Sequence, residues 1–324
     1  MMRATARRAA LVLALIGVAA ALWFGPGLPY PALETEWTIG IYGGPSPFRL
    51  SAAPATGNPV LSAAQVTDVP ARFVADPFMI RDGATWFMFF EVLNRTSGRG
   101  QIAVASSADG RAWRYGQVVL DEPFHLSYPY VLAQDDTYYL IPESAQAQAV
   151  RLYRADPFPS HWSFVQTLLS GAPFSDSSLV QYDGHWWLFA ATDPATNGQL
   201  DLYLADRLEG PWRAHPLNPI VHGDPHGARP GGRVLVVGNR VFRFAQDDAP
   251  RYGSGVWAFE ITTLSPTAYA ERRVGDHPIL AAGDEGWNAR GMHHIDPHPL
   301  HPDAWIAAVD GNRRTWALRY WMWR

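Results

Sequence analysis

Trp86-Phe-Met-Phe-Phe-Glu91 and Tyr138-Tyr-Leu-Ile-Pro-Glu143 are short aromatic runs that each end on a glutamate. Trp186-Trp-Leu-Phe-Ala-Ala-Thr192, Val241-Phe-Arg-Phe-Ala-Gln246 and Trp305-Ile-Ala-Ala-Val-Asp310 continue the series. Runs of this length, rich in aromatic and branched residues, read as β-strands. A second recurring segment precedes each of them: Asp76-Pro-Phe-Met-Ile, Tyr128-Pro-Tyr-Val-Leu, Asp176-Ser-Ser-Leu-Val, Arg229-Pro-Gly-Gly-Arg and His293-His-Ile-Asp. The heads of these segments are 52, 48, 53 and 64 residues apart. Ala105, Ala155 and Ala205 mark a third series, each in a short segment that ends at Trp113, Trp162 or Trp212. A period of roughly 50 residues with several strands per unit indicates a β-propeller. Two stacked β-domains would hold as many strands but would not require the period.

Five such units fill residues 70–324, so the expected fold is all-β and five-bladed. In the fifth unit an inner strand is expected near Met292–Ile295, a second at Trp305–Asp310 and a third at Thr315–Met322. That unit is one strand short. Trp37-Thr-Ile-Gly-Ile-Tyr42 alternates like a half-buried strand and is predicted to supply the missing outer strand, which would cover an open sheet edge.

Upstream, Arg3, Arg7 and Arg8 precede the apolar run Ala9–Phe24. This pattern predicts a single membrane anchor or signal segment over residues 1–24, with the remainder carried out of the cytoplasm. Ala19-Ala20-Ala21 fits a cleavage site, so cleaved and uncleaved forms both stay open. Residues 25–36 read as a linker and 37–324 as the propeller. The expected location of the propeller is therefore periplasmic or extracellular, with the membrane reached through the N-terminus.

Composition narrows the chemistry. The chain of 324 residues contains no Cys, which removes thiol nucleophiles, thiolate metal sites and disulfides. All 26 basic residues are Arg, so no Schiff-base or phosphate-loop lysine exists. A lysine-free, Ala- and Arg-rich chain fits a GC-rich bacterial source. The formal net charge of −4 gives no nucleic-acid footprint. Most of the 14 tryptophans are expected as wedges between blades.

In each unit the first two strands form a hairpin, so the head of the first lies beside the tail of the second. Asp76, Tyr128, Asp176, Arg229, His293 and His294 should therefore surround one mouth of the axial tunnel. Glu91, Glu143, Thr192, Gln246, Asp247 and Asp310 should line the same mouth. Carboxylates recurring at equivalent positions on a rigid scaffold describe a polar pocket. The linking segment His125-Leu-Ser127-Tyr128-Pro129 offers an imidazole and two hydroxyls suited to a polyhydroxylated ligand. His293, His294, Asp296, His298 and His301 crowd the fifth unit, but prolines interrupt the segment and no metal or cofactor is assigned to it. Ser107-Ala-Asp109-Gly110-Arg-Ala-Trp113 reads as a structural Asp-turn of an outer hairpin, similar to those of sialidase-like propellers.

Phe73-Val-Ala-Asp76-Pro-Phe, Glu122-Pro-Phe-His-Leu-Ser-Tyr-Pro129, Ile141-Pro-Glu-Ser144, Ala228-Arg-Pro-Gly231, Ala245-Gln-Asp247, Tyr252-Gly253 and His293-His294 together resemble the N-terminal propeller domain of the glucosamine inositolphosphorylceramide transferase family and its bacterial relatives. The resemblance covers residues 37–324. That domain is in turn similar to the five-bladed propellers of glycoside hydrolase family 43, in which an Asp base, a second Asp that tunes the acid, and a Glu acid do the chemistry. Asp76 and Asp176 match the two aspartates. Ala228-Arg229-Pro230 stands where those hydrolases carry the Glu of a Glu-Gly-Pro motif, so Glu143 or Glu91 would have to replace the acid. The plant transferases carry a glycosyltransferase domain after the propeller. The resemblance covers the propeller alone, so their transfer activity is not implied by it.

The expected protein is a carbohydrate-active propeller that cleaves or transfers a glycosidic linkage. Asp76, Glu143, Asp176 and Glu91 are its catalytic candidates. His125, Ser127, Tyr128, Arg229, Gln246, Asp247, Tyr252, His293, His294 and Asp310 are its glycan contacts. Arg229 would lower the pKa of a neighbouring Asp or hold an acidic group on the sugar. The alternative is a glycan-binding propeller without catalysis, for which the missing acid argues. A protein-interaction propeller would instead present an exposed apolar patch.

Overall fold

A computed structural model describes residues 29–52 and 56–320. Residues 36–313 make one compact unit, and the described residues 29–35 and 314–320 belong to another. The described strands form five antiparallel sheets, the blades of a propeller. Blade one is Ala71–Asp82, Thr85–Asn94, Gly100–Ser107 and Arg114–Leu120. Blade two is Ser127–Gln134, Thr137–Glu143, Ala149–Ala155 and Trp162–Ser170. Blade three runs from Ser175–Tyr182 through His185–Ala191 and Gln199–Ala205 to the short Arg213–Ala214. Blade four runs from Leu235–Val237 through Arg240–Asp247 and Gly255–Ser265 to Ala268–Arg273. Among the described residues the helical content is two single 3₁₀ turns, Ala63–Gln65 and Ala145–Ala147.

The fifth blade closes the ring through the N-terminal part of the chain, but the bounds and the order of its strands differ from expectation. Its order is Ile295–His301, Ala304–Tyr320, Pro29–Ser46 and Arg49–Ala52. The segments expected as separate second and third strands are one continuous strand, because no turn interrupts Asp310 to Arg314. The segment holding Trp37–Tyr42 is consequently the third strand, and Arg49–Ala52 is the outer one. The strand also starts at Pro29, inside the stretch expected as a linker. Trp37, Ile39 and Ile41 are buried on it, as a strand enclosed on both sides requires. Among the described residues no helix is long and apolar enough to cross a membrane. The run Ala9–Phe24 lies outside the described residues.

The tryptophan series has a common geometry. The indole N–H of Trp113 donates to the Gly110 carbonyl, that of Trp162 to Pro159 and that of Trp212 to Leu208, each at 3.0 Å. In the outer turn of blade one, Asp109 Oδ1 accepts the Arg111 and Ala112 N–H groups at 2.8 and 2.9 Å, which lowers its pKa. That segment is structural.

Below the mouth, hydrogen bonds cross the axis. The Gly232 N–H donates to the Tyr128 hydroxyl at 2.6 Å, and that hydroxyl lies 2.7 Å from Ser178 Oγ. Gly232 has φ +145°, and a Cβ there would meet the Ile295 carbonyl at 1.8 Å, so only glycine permits this approach. Arg233 Nε donates to Asp296 Oδ1 at 2.7 Å, and its Nη groups donate to the Val131 and Met79 carbonyls at 3.0 and 3.3 Å. These bonds tie segments of all five blades together. Tyr128→Phe should cost about 1–3 kcal/mol, because it leaves a buried donor unsatisfied. An unchanged urea midpoint would show that this crossing bond contributes nothing.

Candidate active site

Three inner strands share one unusual residue, Asp76 within Ala71–Asp82, Tyr128 within Ser127–Gln134 and Asp176 within Ser175–Tyr182. Asp76, Tyr128 and Asp176 have φ of +54°, +45° and +50°, a left-handed conformation disfavoured for side chains with a Cβ. In each blade the strand pairing shifts register at this residue: between Ala75 and Phe78, between Ser127 and Tyr130, and between Ser175 and Ser178. These bulges re-aim the heads of the strands. The backbone N–H of each head is then accepted by a carboxylate. Asp76 N–H donates to Asp310 Oδ2 at 3.1 Å, Tyr128 N–H to Asp76 Oδ2 at 3.2 Å, and Asp176 N–H to Glu143 Oε2 at 3.2 Å. The recurring acids thus bond from one blade to the next.

A cavity of about 220 Å³ opens at this mouth. Trp37, Phe73, Ala75 and Leu93 make its apolar wall. Asp76, Glu91, His125, Ser127, Glu143, Arg229, Tyr252 and His293 make the polar one. An apolar wall opposite convergent polar groups makes this cavity a candidate binding site.

Two charged clusters frame the cavity. In the first, His293 Nδ1 lies 2.7 Å from Asp310 Oδ2, and its Nε2 lies 3.7 Å from Asp76 Oδ1. The imidazole stacks on the Trp37 ring with centroids 3.9 Å apart. Burial alone would lower the His293 pKa, but Asp310 and Asp76 outweigh it and raise the pKa to about 9. Burial pushes Asp76 up to about 7 against the pull of His293. In the second cluster, Arg229 Nε donates to Asp176 Oδ2 at 2.6 Å, and its Nη2 lies 3.6 Å from Glu143 Oε2. Burial, with repulsion from Asp176, drives Glu143 well above the usual carboxylate range even beside Arg229.

Glu91 is raised in the same way, by burial and then by the surrounding acids. Its neighbour His125 accepts the Gly100 N–H on Nδ1 at 2.9 Å, so the tautomer that carries hydrogen on Nε2 faces Glu91 Oε1 at 3.3 Å. Burial lowers the His125 pKa.

The other expected contacts sit outside the cavity wall. Tyr128 and His294 are fully buried beneath it, and burial lowers the His294 pKa to about 4. Gln246 Nε2 donates to Asp176 Oδ2 at 2.6 Å, supporting the second cluster from behind. Asp310 is buried and holds His293. Asp247 accepts the Trp257 indole N–H at 3.0 Å and pairs with His226 at 2.8 Å. Thr192 donates to Asp201 at 2.8 Å. Asp296 pairs with Arg233 and His298, away from the cavity lining. Asp76, His293 and Asp310 bring ligand-type atoms within 4.8 Å of one another, and all three already belong to the first cluster. The unforeseen participants are Trp37, Phe73, Ala75 and Leu93, together with Asn197, whose Oδ1 accepts from Arg229 Nη1 at 3.2 Å.

The first cluster makes stability depend on pH. The His293 pKa is raised on folding from 6.5 to about 9, so its contribution is full below pH 6.5 and is lost as pH rises toward 9. Urea unfolding across that window should show falling stability in the wild type and a flatter profile in His293→Gln. Parallel profiles would remove His293 as the cause.

Residues 31–312 match the family described as "Glucosamine inositolphosphorylceramide transferase 1, N-terminal". The chain belongs to this family. It is 38% identical over 304 residues to glucosamine inositolphosphorylceramide transferase 1 of Oryza sativa subsp. japonica, an alignment covering 87% of this chain and 41% of the relative. The Arabidopsis thaliana protein of the same name is 34% identical over 303 residues, covering 87% and 40%. The chain thus spans about two-fifths of the length of these relatives. Both are plant proteins and do not bear out the bacterial source expected from composition. Among solved structures, a glycosyl hydrolase from Bacteroides ovatus superposes with a TM-score of 0.53 at 10% identity, covering 79% of this chain and 92% of that one. An exo-β-1,3-galactanase from Clostridium thermocellum superposes with a TM-score of 0.54 at 14% identity, covering 65% and 51%. At such identities the likeness is one of fold.

Proposed function

We propose that the cavity takes one sugar unit of a glycan or glycoconjugate and that the protein cleaves or transfers a glycosidic linkage there, outside the cytoplasm. The observation that carries this reading is a pair of buried carboxyls, Asp76 and Glu143, that line one cavity, each beside its own cation, His293 and Arg229. Burial raises both, Glu143 well above the usual carboxylate range and Asp76 to about 7, where His293 opposes the rise and favours its anion. Glycosidic chemistry by two carboxyls needs one group in each state. Glu143 gives its proton to the leaving oxygen as the bond to the anomeric carbon breaks. Asp76 accepts the proton of an incoming water or hydroxyl, or attacks that carbon itself. Asp176 and Arg229 orient Glu143, and Trp37 supplies a face for the ring. The names of the plant transferases and of the hydrolase neighbours support a carbohydrate-related role.

A second reading, glycan binding without turnover, rests on Arg229, which occupies the position of the usual acid and is bonded to Asp176 at 2.6 Å. Incubation with a glycan panel separates the two. New reducing ends or transfer products support catalysis, and saturable binding without products supports the second reading. Neither products nor binding across the panel would contradict both.

A further inference from the structure

Asp76, Glu143, Asp176 and Asp310 each meet a cation and accept at least one N–H. Asp76 Oδ2 accepts the Tyr128 N–H, and Asp76 Oδ1 lies 3.7 Å from His293 Nε2. Glu143 Oε2 accepts the Asp176 N–H and lies 3.6 Å from Arg229 Nη2. Asp176 accepts from Arg229 and Gln246, each at 2.6 Å. Asp310 accepts the Asp76 and His293 N–H groups, each at 3.1 Å, and holds the His293 imidazole at 2.7 Å.

Glu91, which borders the same cavity, is held differently. It is buried on the second strand of blade one. Its Oε1 is enclosed and, among the described residues, has no hydrogen-bond partner. The ionisable group beside it is His125, whose Nε2 lies 3.3 Å from that oxygen. This imidazole cannot act as a cation while Nδ1 accepts the Gly100 N–H, because a charged ring carries hydrogen on both nitrogens. A Cβ on Gly100 would meet Glu91 Oε1 at 2.7 Å and His125 Cε1 at 2.8 Å, so glycine lets the two side chains converge there.

A buried carboxylate is costly when one oxygen accepts no hydrogen bond and no cation is at hand. The neutral carboxyl needs neither. The surrounding charges act in the same direction: after burial itself, Asp76, Glu143, Asp176 and Asp310 all oppose an anion at Glu91. With Oε1 turned toward the His125 N–H, the hydroxyl of the neutral acid sits on Oε2, the oxygen left to meet an occupant of the cavity.

We propose that Glu91 is a neutral carboxyl, oriented by His125, that donates a hydrogen bond to a hydroxyl oxygen of the sugar in the cavity. It recognises the sugar and keeps its proton, whereas Glu143 gives its proton away. A sugar without an acceptor at that position is rejected, because it leaves a buried donor unpaired. The donor role rests on the reading of the cavity as a sugar site; the neutral state does not.

Two substitutions in the full chain test the assignment. Glu91→Gln keeps a carbonyl oxygen for His125 and an N–H donor for the sugar, and Glu91→Met keeps the length and removes both. The first measurement needs no sugar. Folding raises the Glu91 pKa above its ordinary value of 4.5, so the wild type loses stability as pH rises from 4.5 toward the folded value. E91Q has no such loss. Its urea midpoint relative to the wild type should therefore climb over that range. A flat or falling difference would mean that Glu91 ionises in the folded protein and would overturn the proposal.

The second measurement is calorimetric titration with the methyl glycosides of glucose, galactose, mannose, xylose and N-acetylglucosamine. A glycoside that binds the wild type should bind E91Q at least about tenfold more tightly than E91M. Equal affinities in the two variants would overturn the donor role. Where E91M does not fold, a loss of more than about tenfold from wild type to E91Q would do the same. A wild type that binds none of the five would defeat the sugar reading of the cavity, and the donor role with it.

Discussion

Asp76→Asn and Glu143→Gln should each lower turnover on a glycan substrate by about 10²–10⁴-fold, the contribution of a positioned general acid or base. Both substitutions keep a side-chain oxygen that can accept the N–H bond now made by Tyr128 or Asp176. The backbone heads should therefore stay in place, and the urea midpoint should change little. Only the proton chemistry is removed. Because the base works ionised, activity should rise with pH through about 7, the value to which burial brings Asp76. Glu143 must remain protonated, so activity should fall again at higher pH. Replacing His293 by Gln should move the acidic limb upward, because the imidazolium is what favours the Asp76 anion. Initial-rate measurements on the purified variants check this. Full activity in both carboxyl variants would remove the two-carboxyl mechanism.

Deleting residues 1–42 should abolish cooperative folding of the propeller, whereas deleting residues 1–28 should leave the midpoint unchanged. The larger deletion removes the third strand of blade five up to Tyr42 and separates Ala304–Tyr320 from its neighbour. It withdraws the buried side chains of Trp37, Ile39 and Ile41. At about 1.5–3 kcal/mol for each large apolar side chain, the loss is comparable to the whole stability of a typical domain, about 5–15 kcal/mol. The deletion also strips the apolar wall of the cavity of Trp37 and leaves His293 without its stacking partner. Circular dichroism and urea titration of the two truncated chains distinguish the outcomes. An intact transition after removal of 1–42 would mean that the ring does not depend on this closure.

The fold was legible because its signal is repetition. The spacing from Asp76 to Tyr128 to Asp176 corresponds to three inner strands that carry the same left-handed residue and the same bulge. Trp113, Trp162 and Trp212 likewise make one recurring indole bond. Blade five was less legible. Its strands come from opposite ends of the chain, and a strand of 17 residues, Ala304–Tyr320, carries no local mark where a shorter one would end.

The polar half of the cavity is legible in the heads and tails of hairpins, where Asp76, Glu91, Glu143, Arg229 and His293 stand. The apolar half could not. Phe73 and Leu93 look like any inward strand residue, and Trp37 meets His293 only through ring closure across most of the sequence. Tyr128 shows the opposite limit. It heads a strand as Asp76 and Asp176 do, but its longer side chain passes beneath the mouth to reach Ser178 and Gly232. Repetition gives the position of a residue, and side-chain length decides which layer it fills.

Whether the cavity framed by Asp76, Glu143, Arg229 and Trp37 takes a sugar is decided by a crystal structure of the protein with a glycan identified from the panel. A sugar ring is expected against Trp37, with its anomeric carbon between the carboxyls of Asp76 and Glu143. A glycan bound on another face while this cavity stays empty would contradict it.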